Sequence, residues 1–363
     1  MKKITVSLGL RSYDIVVGYK IIDRLPEILE KLELGTDAVI ISNPTIHHLH
    51  GGYLQSVLSR KGFSVNFKLV PDTERSKSQK TCFDVIDKIA SYDVKKRIFI
   101  VAFGGGVIGD LSGFIASVYK RGIPYIQIPT TFLAQVDSAI GGKTGIDLAV
   151  GKNLIGSFYQ PRLVLSDLSL LRSLSLKQIR NGLAEVIKYG VIKDTKLFEY
   201  VENNYKDILK LNIKSLEKIV YDCSQIKAKI VQLDEKDVTG QRAILNFGHT
   251  IGHAIEAAAC FTKEYSHGEA VSIGMNCASS ISYKLGLLKL SDKKRIENLL
   301  LRVGLPVSCL NLQIRDIMEA QSHDKKFIYG KNRFVLPKKI GSVVIKEDIP
   351  IKLIESILKD HIG

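Results

Sequence analysis

Two segments in the second half of the chain carry histidines at spacings that suit metal binding. His249 and His253 stand four residues apart in a stretch of helical periodicity, so both side chains fall on one face of the predicted helix. A third histidine, His267, follows in a Ser-His-Gly-Glu segment. Neutral imidazole is a common zinc ligand. The pattern favours a metal site, and the alternative is a core or surface pair of histidines with the same spacing.

A carboxylate that completes such a site is Glu185, which stands inside the apolar helical stretch Gly182–Tyr189. A buried carboxylate is unstable unless a cation lies nearby. That cation is either a metal ion or the ammonium group of Lys188, one helical turn further on. The sequence leaves both possibilities open.

A glycine-rich turn indicates a nucleotide. The apolar run Ile98–Phe103 leads directly into Gly104–Gly106 and then through Gly109 and Asp110 into an apolar helix. Glycines at a strand-to-helix turn let backbone N–H groups approach a diphosphate, and the helix N-terminus favours the anion. The spacing differs from the Rossmann Gly-x-Gly-x-x-Gly pattern, and an unliganded tight turn is the alternative.

A third block combines glycine-flanked lysines with polar neighbours. Lys143 stands in Gly141–Gly145 shortly after Asp137, and Lys152 precedes Asn153. Such lysines suit a pocket for a phosphate or a carboxylate. The Gly-Gly-Lys-Thr sequence lacks the first glycine of a P-loop, which argues against an ATPase.

The elements that must position these residues alternate in the first half of the chain. Short apolar runs predict strands at Ile4–Leu8, Tyr13–Val17, Ala38–Ser42, Val65–Val70, Ile98–Phe103, Tyr125–Ile128 and Leu163–Leu165. Intervening helical patterns include Ile22–Lys31 and Gln79–Ala90. This alternation predicts an α/β nucleotide-binding domain with a mostly parallel sheet.

Long helical periodicities replace this pattern from about residue 172. They predict helices at Gln178–Val191, Ile213–Val231, Leu245–Ala259, up to Leu287 and at Lys293–Val303, with a short extended piece at Arg333–Leu336. We therefore expect an α/β domain over residues 1–172 and a mostly α-helical domain over 173–363.

Composition limits the class of protein. The 363 residues include 52 Lys and Arg against 37 Asp and Glu, and the net charge of +15 indicates an anionic partner. The basic residues form no tract and Trp is absent, which argues against nucleic acid. We expect no membrane segment, because no stretch approaches about 20 apolar residues. Five widely spaced cysteines without a Cys-x-x-Cys pair fit a cytoplasmic protein.

Taken together, these blocks resemble the 3-dehydroquinate synthases of the sugar phosphate cyclase family. The matching segments follow the family's order and spacing and extend over nearly the whole chain: Gly104–Asp110, Arg121–Lys143, Gly151–Pro161, Ala184–Tyr189, Leu245–Glu256 and His267–Val271. The resemblance implies an N-terminal NAD-binding α/β domain, a mostly helical metal-binding C-terminal domain, zinc or cobalt as the metal, and a homodimer.

The resemblance also implies residue roles. The metal ligands are Glu185, His249 and His267, whereas His253 serves the substrate phosphate. The substrate pocket comprises Asp137, Lys143, Asn153, Lys188, Lys227, Arg242, Asn246, His253 and Lys326, the last preferred to Lys325. Arg121 resembles an arginine that reaches the phosphate from the partner subunit.

For NAD, the matching positions are Glu74, Lys77, Gly105, Gly106, Asp110, Thr130, Thr131, Lys143 and Lys152. This chain departs from the family at two places. Asn43 stands where many relatives have an Asp for the adenosine, so it must act there through uncharged hydrogen bonds. Val238 stands where the family usually has a substrate-binding Glu, and Asp237 is the candidate replacement.

The activity that the resemblance implies is a carbon–oxygen lyase reaction. It converts 3-deoxy-D-arabino-heptulosonate 7-phosphate to 3-dehydroquinate and phosphate, by transient oxidation with NAD, phosphate elimination, re-reduction and aldol closure. The alternatives are another cyclase of the inosose or valiolone synthase type and a metal-dependent polyol dehydrogenase. Basic Lys227 and Arg242 favour a carboxylate substrate over the first, and the phosphate pocket argues against the second.

Overall fold

The computed structural model describes residues 1–71, 73–148, 151–259, 265–322 and 332–362. They form two compact units. The first comprises Met1–Ser175 with Leu216–Lys236, and the second comprises Leu176–Ser215 with Asp237–Gly363. The chain therefore leaves the first unit after Ser175, returns to it for about one helix at Leu216–Lys236, and then leaves it again.

A mostly parallel sheet forms the middle of the first unit. The strands described there are β1 (Lys2–Val6), β2 (Tyr13–Gly18), β3 (Asp37–Ser42), β4 (Ser64–Leu69), β5 (Ile98–Gly104), β6 (Tyr125–Pro129), β7 (Lys143–Leu148), β8 (Gly151–Phe158) and β9 (Leu163–Asp167). The sheet order is β1-β2-β9-β6-β5-β3-β4, and only β1 pairs antiparallel. Strands β7 and β8 form a separate antiparallel ribbon. The seven predicted strands are confirmed to within two residues at each end.

Helices cover both faces of this sheet. The helices before β7 are α1 (Leu25–Leu32), α2 (Pro44–Ile46), α3 (Gly52–Ser59), α4 (Gln79–Tyr92) and α5 (Gly106–Val118). Successive residues of β5 point to opposite faces. Val101 packs in an apolar cluster with residues of α1 and α3, whereas Ile100 packs with residues of α4 and α5. Because both faces are buried, β5 is apolar along its whole length.

Helices dominate the second unit. The remaining helices of the described chain are α6 (Leu176–Ile192), α7 (Thr195–Leu209), α8 (Ile213–Leu233, mostly in the first unit), α9 (His249–Ala258), α10 (His267–Lys284), α11 (Leu290–Arg302), α12 (Ile314–Ser322) and α13 (Ile351–His361). Strands β10 (Arg333–Lys339) and β11 (Ser342–Glu347) pair antiparallel. None of the helices in the described ranges has both the length and the apolarity that crossing a bilayer requires.

The predicted helix Leu245–Ala259 was wrong in its first turn. A 3-10 turn occupies Gln241–Asn246, and α9 begins only at His249. Gly248 has φ of 80°, a left-handed conformation that glycine adopts at little cost. A Cβ atom there would also crowd Met275 and the carbonyl of Val271. The glycine therefore places His249 at the first position of the helix.

Candidate active site

Glu185 is fully buried in α6, where it has 0% exposure among apolar neighbours. Its two carboxylate oxygens face different partners. Oε2 forms an ion pair with Lys188, whose side chain is 2% exposed. Oε1 lies 3.4 Å from Nε2 of His249 and 3.3 Å from Nε2 of His267. Lys188 and a metal ion, the two cations that the sequence left open, can therefore both lie beside this carboxylate, because each would face a different oxygen.

The structure brings together the three residues predicted as metal ligands. One ligand atom from each of Glu185, His249 and His267 lies within 4.8 Å of the others. Each histidine is the first residue of its helix, α9 or α10. A capping box fixes the start of α10, where Glu269 accepts the backbone N–H of Ser266 at 2.7 Å. One carboxylate and two imidazoles are a donor set that catalytic zinc uses, so these residues fit the implied metal.

The charge around His267 supports the same conclusion. Burial by itself would lower the pKa of this imidazole, but the nearby carboxylates of Glu185 and Glu256 outweigh burial and raise it, and a metal ion at Nε2 would take the place of the second ring proton that they favour. Two carboxylates converge on one ring, and their negative charge is what a divalent cation would balance.

His253 takes a different position from the other two histidines. Its ring centroid lies 5.2 Å from that of His249 and 6.3 Å from that of His267, on the partly exposed side of α9. It does not belong to the group around Glu185, although it forms a second candidate group with Glu256 and His267. The four-residue spacing alone did not distinguish these positions.

The glycine-rich turn of the first unit lies between β5 and α5, as predicted. A Cβ atom on Gly105 would lie 3.0 Å from Thr131, and one on Gly106 would lie 3.1 Å from Ser138. Thr130 and Thr131 follow β6, the strand beside β5. The turn and the threonines predicted to bind NAD therefore lie together at the carboxyl ends of adjacent parallel strands, where α/β sheets bind nucleotides.

Lys77 is the centre of a buried polar cluster in this unit. Its Nζ donates to Asp110 Oδ2 at 2.8 Å and to Asn153 Oδ1 at 2.5 Å, and only 4% of its side chain is exposed. Burial lowers the pKa of Lys77, but Asp110 outweighs burial and raises it. Burial raises the pKa of Asp110 against the opposing effect of Lys77. Asn153, predicted to bind substrate, thus contacts Lys77, which is predicted to bind NAD.

A second buried pair joins Lys227 to Asp137. Nζ of Lys227 lies 2.7 Å from Asp137 Oδ1 and 2.7 Å from its carbonyl oxygen. Asp137 stands in a π-helical turn, Ala134–Ser138, a distortion frequent at functional sites. The two residues are 90 positions apart, so only the fold brings them together.

Three other residues, Asn43, Lys152 and Arg121, are predicted to bind NAD or the substrate phosphate. Asn43 is buried, and its Oδ1 accepts the N–H of Ile46 at 2.8 Å as the cap of α2. Nζ of Lys152 lies 3.7 Å from Oε1 of Glu74. Arg121 has φ of 64° and is exposed at the end of a turn.

The remaining predicted substrate residues lie in the described chain with one exception. Lys143 is the exposed first residue of β7, Arg242 is 3% exposed and Asn246 is half-buried. Asp237 is half-buried with φ of 55°, whereas Val238 is 80% exposed. Lys326 and its alternative Lys325 lie outside the described residues.

Sequence reasoning missed two carboxylates in these clusters. Asp147 accepts the backbone N–H of Asn153 at 2.8 Å and lies 3.9 Å from Lys77. Glu256 lies 3.4 Å from Nδ1 of His267. Its spacing carried a signal, because it follows His249 by seven residues and His253 by three and so shares their helix face.

The sequence of this chain matches those of known proteins. Family models for 3-dehydroquinate synthase, N-terminal and C-terminal, match residues 67–181 and 182–327. The 3-dehydroquinate synthase of Pelotomaculum thermopropionicum is 43% identical over 350 residues, which are 96% of this chain and 94% of that one.

Two solved structures share the fold. The 2-epi-5-epi-valiolone synthase of Streptomyces hygroscopicus subsp. jinggangensis, with NAD⁺ and Zn²⁺ bound, matches with a TM-score of 0.89 at 28% identity and covers 98% of both chains. A 2-deoxy-scyllo-inosose synthase complexed with carbaglucose-6-phosphate, NAD⁺ and Co²⁺ matches with a TM-score of 0.90 at 24% identity, over 99% of this chain and 100% of that one. On the family matches and the extent of sequence identity, the chain belongs to the 3-dehydroquinate synthase family.

Proposed function

We propose that this chain converts 3-deoxy-D-arabino-heptulosonate 7-phosphate to 3-dehydroquinate and phosphate, with NAD and a divalent metal, Zn²⁺ or Co²⁺, as cofactors. The observation that carries the proposal is the convergence of Glu185, His249 and His267 in a chain 43% identical to a 3-dehydroquinate synthase. The NAD- and metal-bound cyclase of the same fold supports the choice of cofactors.

Each group of residues has a distinct task. When bound, the metal supplies Lewis-acid polarisation of substrate hydroxyls, and the nicotinamide accepts and later returns a hydride. Glu185, His249 and His267 hold the metal. Lys143, Asn153, His253 and Arg121 are assigned to the leaving phosphate, whose developing dianion their hydrogen-bond donors stabilise. The other predicted substrate residues orient the sugar acid for ring closure, a step that depends mainly on positioning.

The charge of the predicted substrate pocket favours a carboxylate substrate. Lys227 and Arg242 are 6% and 3% exposed, respectively. Ammonium and guanidinium groups bind a carboxylate through charge-assisted hydrogen bonds. A sugar acid carries a carboxylate, whereas the substrate of an inosose or valiolone synthase does not. We therefore favour 3-dehydroquinate formation over these related cyclase activities.

The test of the function is a product assay. The enzyme is incubated with the heptulosonate phosphate, NAD⁺ and Zn²⁺ or Co²⁺, and phosphate and 3-dehydroquinate are measured together. We expect equal amounts of both products and no NADH beyond the amount of enzyme. Glucose 6-phosphate and sedoheptulose 7-phosphate serve as controls. Faster phosphate release from either control, or continuous NADH formation, would contradict the proposal.

We expect His253→Ala and His249→Ala to fail in different ways. His253→Ala keeps stoichiometric metal but lowers turnover on the order of 100-fold, because it removes a donor to the leaving phosphate. His249→Ala loses the metal as well, because it removes a ligand. Metal content by elemental analysis and turnover of the same samples distinguish the two. Loss of metal from His253→Ala would contradict the assignment.

We also propose a cytoplasmic homodimer in which Arg121 acts on the phosphate bound by the partner subunit. The backbone supports an outward placement, because Lys120, Arg121 and Gly122 have successive φ values of 49°, 64° and 121° and so turn the chain sharply after α5. A guanidinium contact with a phosphate contributes about 1.5 to 3 kcal/mol, so we expect Arg121→Ala to lower kcat/KM about 10- to 100-fold.

Subunit mixing tests this placement. Arg121→Ala and His249→Ala chains, refolded together, form heterodimers with one complete site. Random mixing therefore restores about a quarter of wild-type activity. Each variant refolded alone is the control. Mixtures that contain heterodimers, yet are no more active than the Arg121→Ala sample alone, would show that Arg121 does not act across subunits.

A further inference from the structure

The two histidines that face Glu185 are held in the same way. Both direct Nε2 toward Oε1 of Glu185. On the opposite side of the ring, His249 Nδ1 lies 3.1 Å from the carbonyl oxygen of Phe247, and His267 Nδ1 lies 3.4 Å from Oε2 of Glu256. Each imidazole therefore has a hydrogen-bond acceptor beside Nδ1 and the carboxylate of Glu185 beside Nε2.

This arrangement has a specific consequence for a metal ligand. A neutral imidazole carries one proton, and the nitrogen that binds a metal must be the one without it. An acceptor beside Nδ1 keeps the proton there and leaves the Nε2 lone pair for the metal. It also fixes the orientation of the ring about its bond to Cβ.

We propose that Glu256 is a positioning residue of the metal site, which accepts the Nδ1–H of His267 and so directs its Nε2 toward the metal. This inference rests on the proposed function, because it takes the metal to lie among Glu185, His249 and His267. In this role Glu256 acts on the metal through His267 and is not itself a ligand.

The surroundings of His267 explain why a side chain is needed for this task. The backbone of His267 is fixed on both sides, because Ser266 and Glu269 form the capping box and Asn181 accepts the N–H of Gly268. The side chain of His267 is 29% exposed, so packing alone does not determine the rotation of its ring. Glu256, whose side chain is 13% exposed, approaches from α9 and supplies the missing constraint.

A different role for Glu256 would be direct metal ligation, since His253, Glu256 and His267 also have ligand atoms within 4.8 Å of one another. In that arrangement His267 would use Nδ1. With a metal among Glu185, His249 and His267 as well, both nitrogens of one ring would bind cations, which requires the neutral imidazole to lose its one N–H proton. The Nε2 contact with Glu185 favours the positioning role.

The test measures metal affinity of the purified full-length chain. Zn²⁺ affinity is determined by competition with a chromophoric chelator for wild type, Glu256→Gln and Glu256→Ala, and Co²⁺ absorption spectra report the ligand geometry. We expect one metal per chain in all three proteins. Zn²⁺ affinity falls about 10- to 100-fold in Glu256→Ala and less in Glu256→Gln, whose amide oxygen still accepts a hydrogen bond from Nδ1–H. Glu297→Gln, on α11 beside Lys293, is the matched control and stays within twofold of wild type.

A purely structural role would behave differently. It would lower the unfolding midpoint of the metal-free variants without changing affinity or the Co²⁺ spectrum, and this result would overturn the inference. Loss of all metal from Glu256→Ala at saturating Zn²⁺, or two metals per wild-type chain that fall to one, would make Glu256 a ligand and also overturn it. Glu256→Gln is nearly isosteric and keeps the test valid if the alanine variant does not fold. A wild-type chain without metal would contradict the proposed function itself.

Discussion

Replacing Glu185 with glutamine is expected to abolish stoichiometric metal binding and to lower turnover at least on the order of 10³-fold, because Lewis-acid stabilisation is worth several kcal/mol. The carboxylate is 0% exposed, and one of its oxygens lies within 3.4 Å of both imidazole nitrogens. Glutamine has nearly the same shape but no charge. It also leaves the buried ammonium of Lys188 without its anion.

The measurement combines elemental analysis with single-turnover and steady-state assays. Glu202→Gln is the matched control, since Glu202 belongs to the same unit but pairs with the partly exposed Arg295 at 2.7 Å. We expect this control to keep its metal and its turnover. Full metal content in Glu185→Gln would place the metal elsewhere.

The parallel sheet was predictable because its strands are buried on both faces. Runs such as Ile98–Phe103 are then continuously apolar and stand out from helical patterns. The ribbon of β7 and β8 was not predicted. Its strands are rich in glycine and polar residues, and the backbones approach so closely that a Cβ atom on Gly145 would lie 2.6 Å from the carbonyl oxygen of Ile155. Hydrophobic periodicity contains no signal for such a pairing.

Local spacing accounts for only part of the candidate site. Glu185 and Lys188 are three residues apart on one helix, so their contact follows from helix geometry. The contact between Glu185 and His267 joins residues 82 positions apart. The sequence grouped Glu185 with the three histidines as candidates for one metal site, but only the resemblance to a family assigned His267, and not His253, to the metal. Return of the chain to the first unit at 216–236, which brings Lys227 to Asp137, likewise has no local signal.

The second large effect is expected from Lys77→Met, which should destabilise the protein by about 3 kcal/mol, since removing one partner of a buried ion pair leaves the other charge uncompensated. Lys77 is the cation beside Asp110, and Asp147 lies 3.9 Å away. Methionine fills a similar volume, so the loss reflects charge and hydrogen bonds more than packing. The free energy is measured by urea unfolding without NAD.

The control is Lys218, and its substitution should cost less stability because Lys218 is less buried, not because its ion pair has a different N···O distance. Lys218 pairs with Asp222 at the same 2.8 Å in the same unit, but 45% of its side chain is exposed. Lys218→Met is therefore expected to change stability by no more than about 0.5 kcal/mol.

A second substitution separates the two causes of the Lys77→Met loss. If the cost is the uncompensated Asp110 carboxylate, adding Asp110→Asn to Lys77→Met should restore about 1 to 2 kcal/mol, within the range of coupling energies for contacting residues. If the cost is lost packing around the lysine stem, the double variant should be less stable than Lys77→Met. A loss in Lys77→Met as small as that in Lys218→Met would contradict both explanations, because it would mean that the buried ammonium contributes no more than an exposed one.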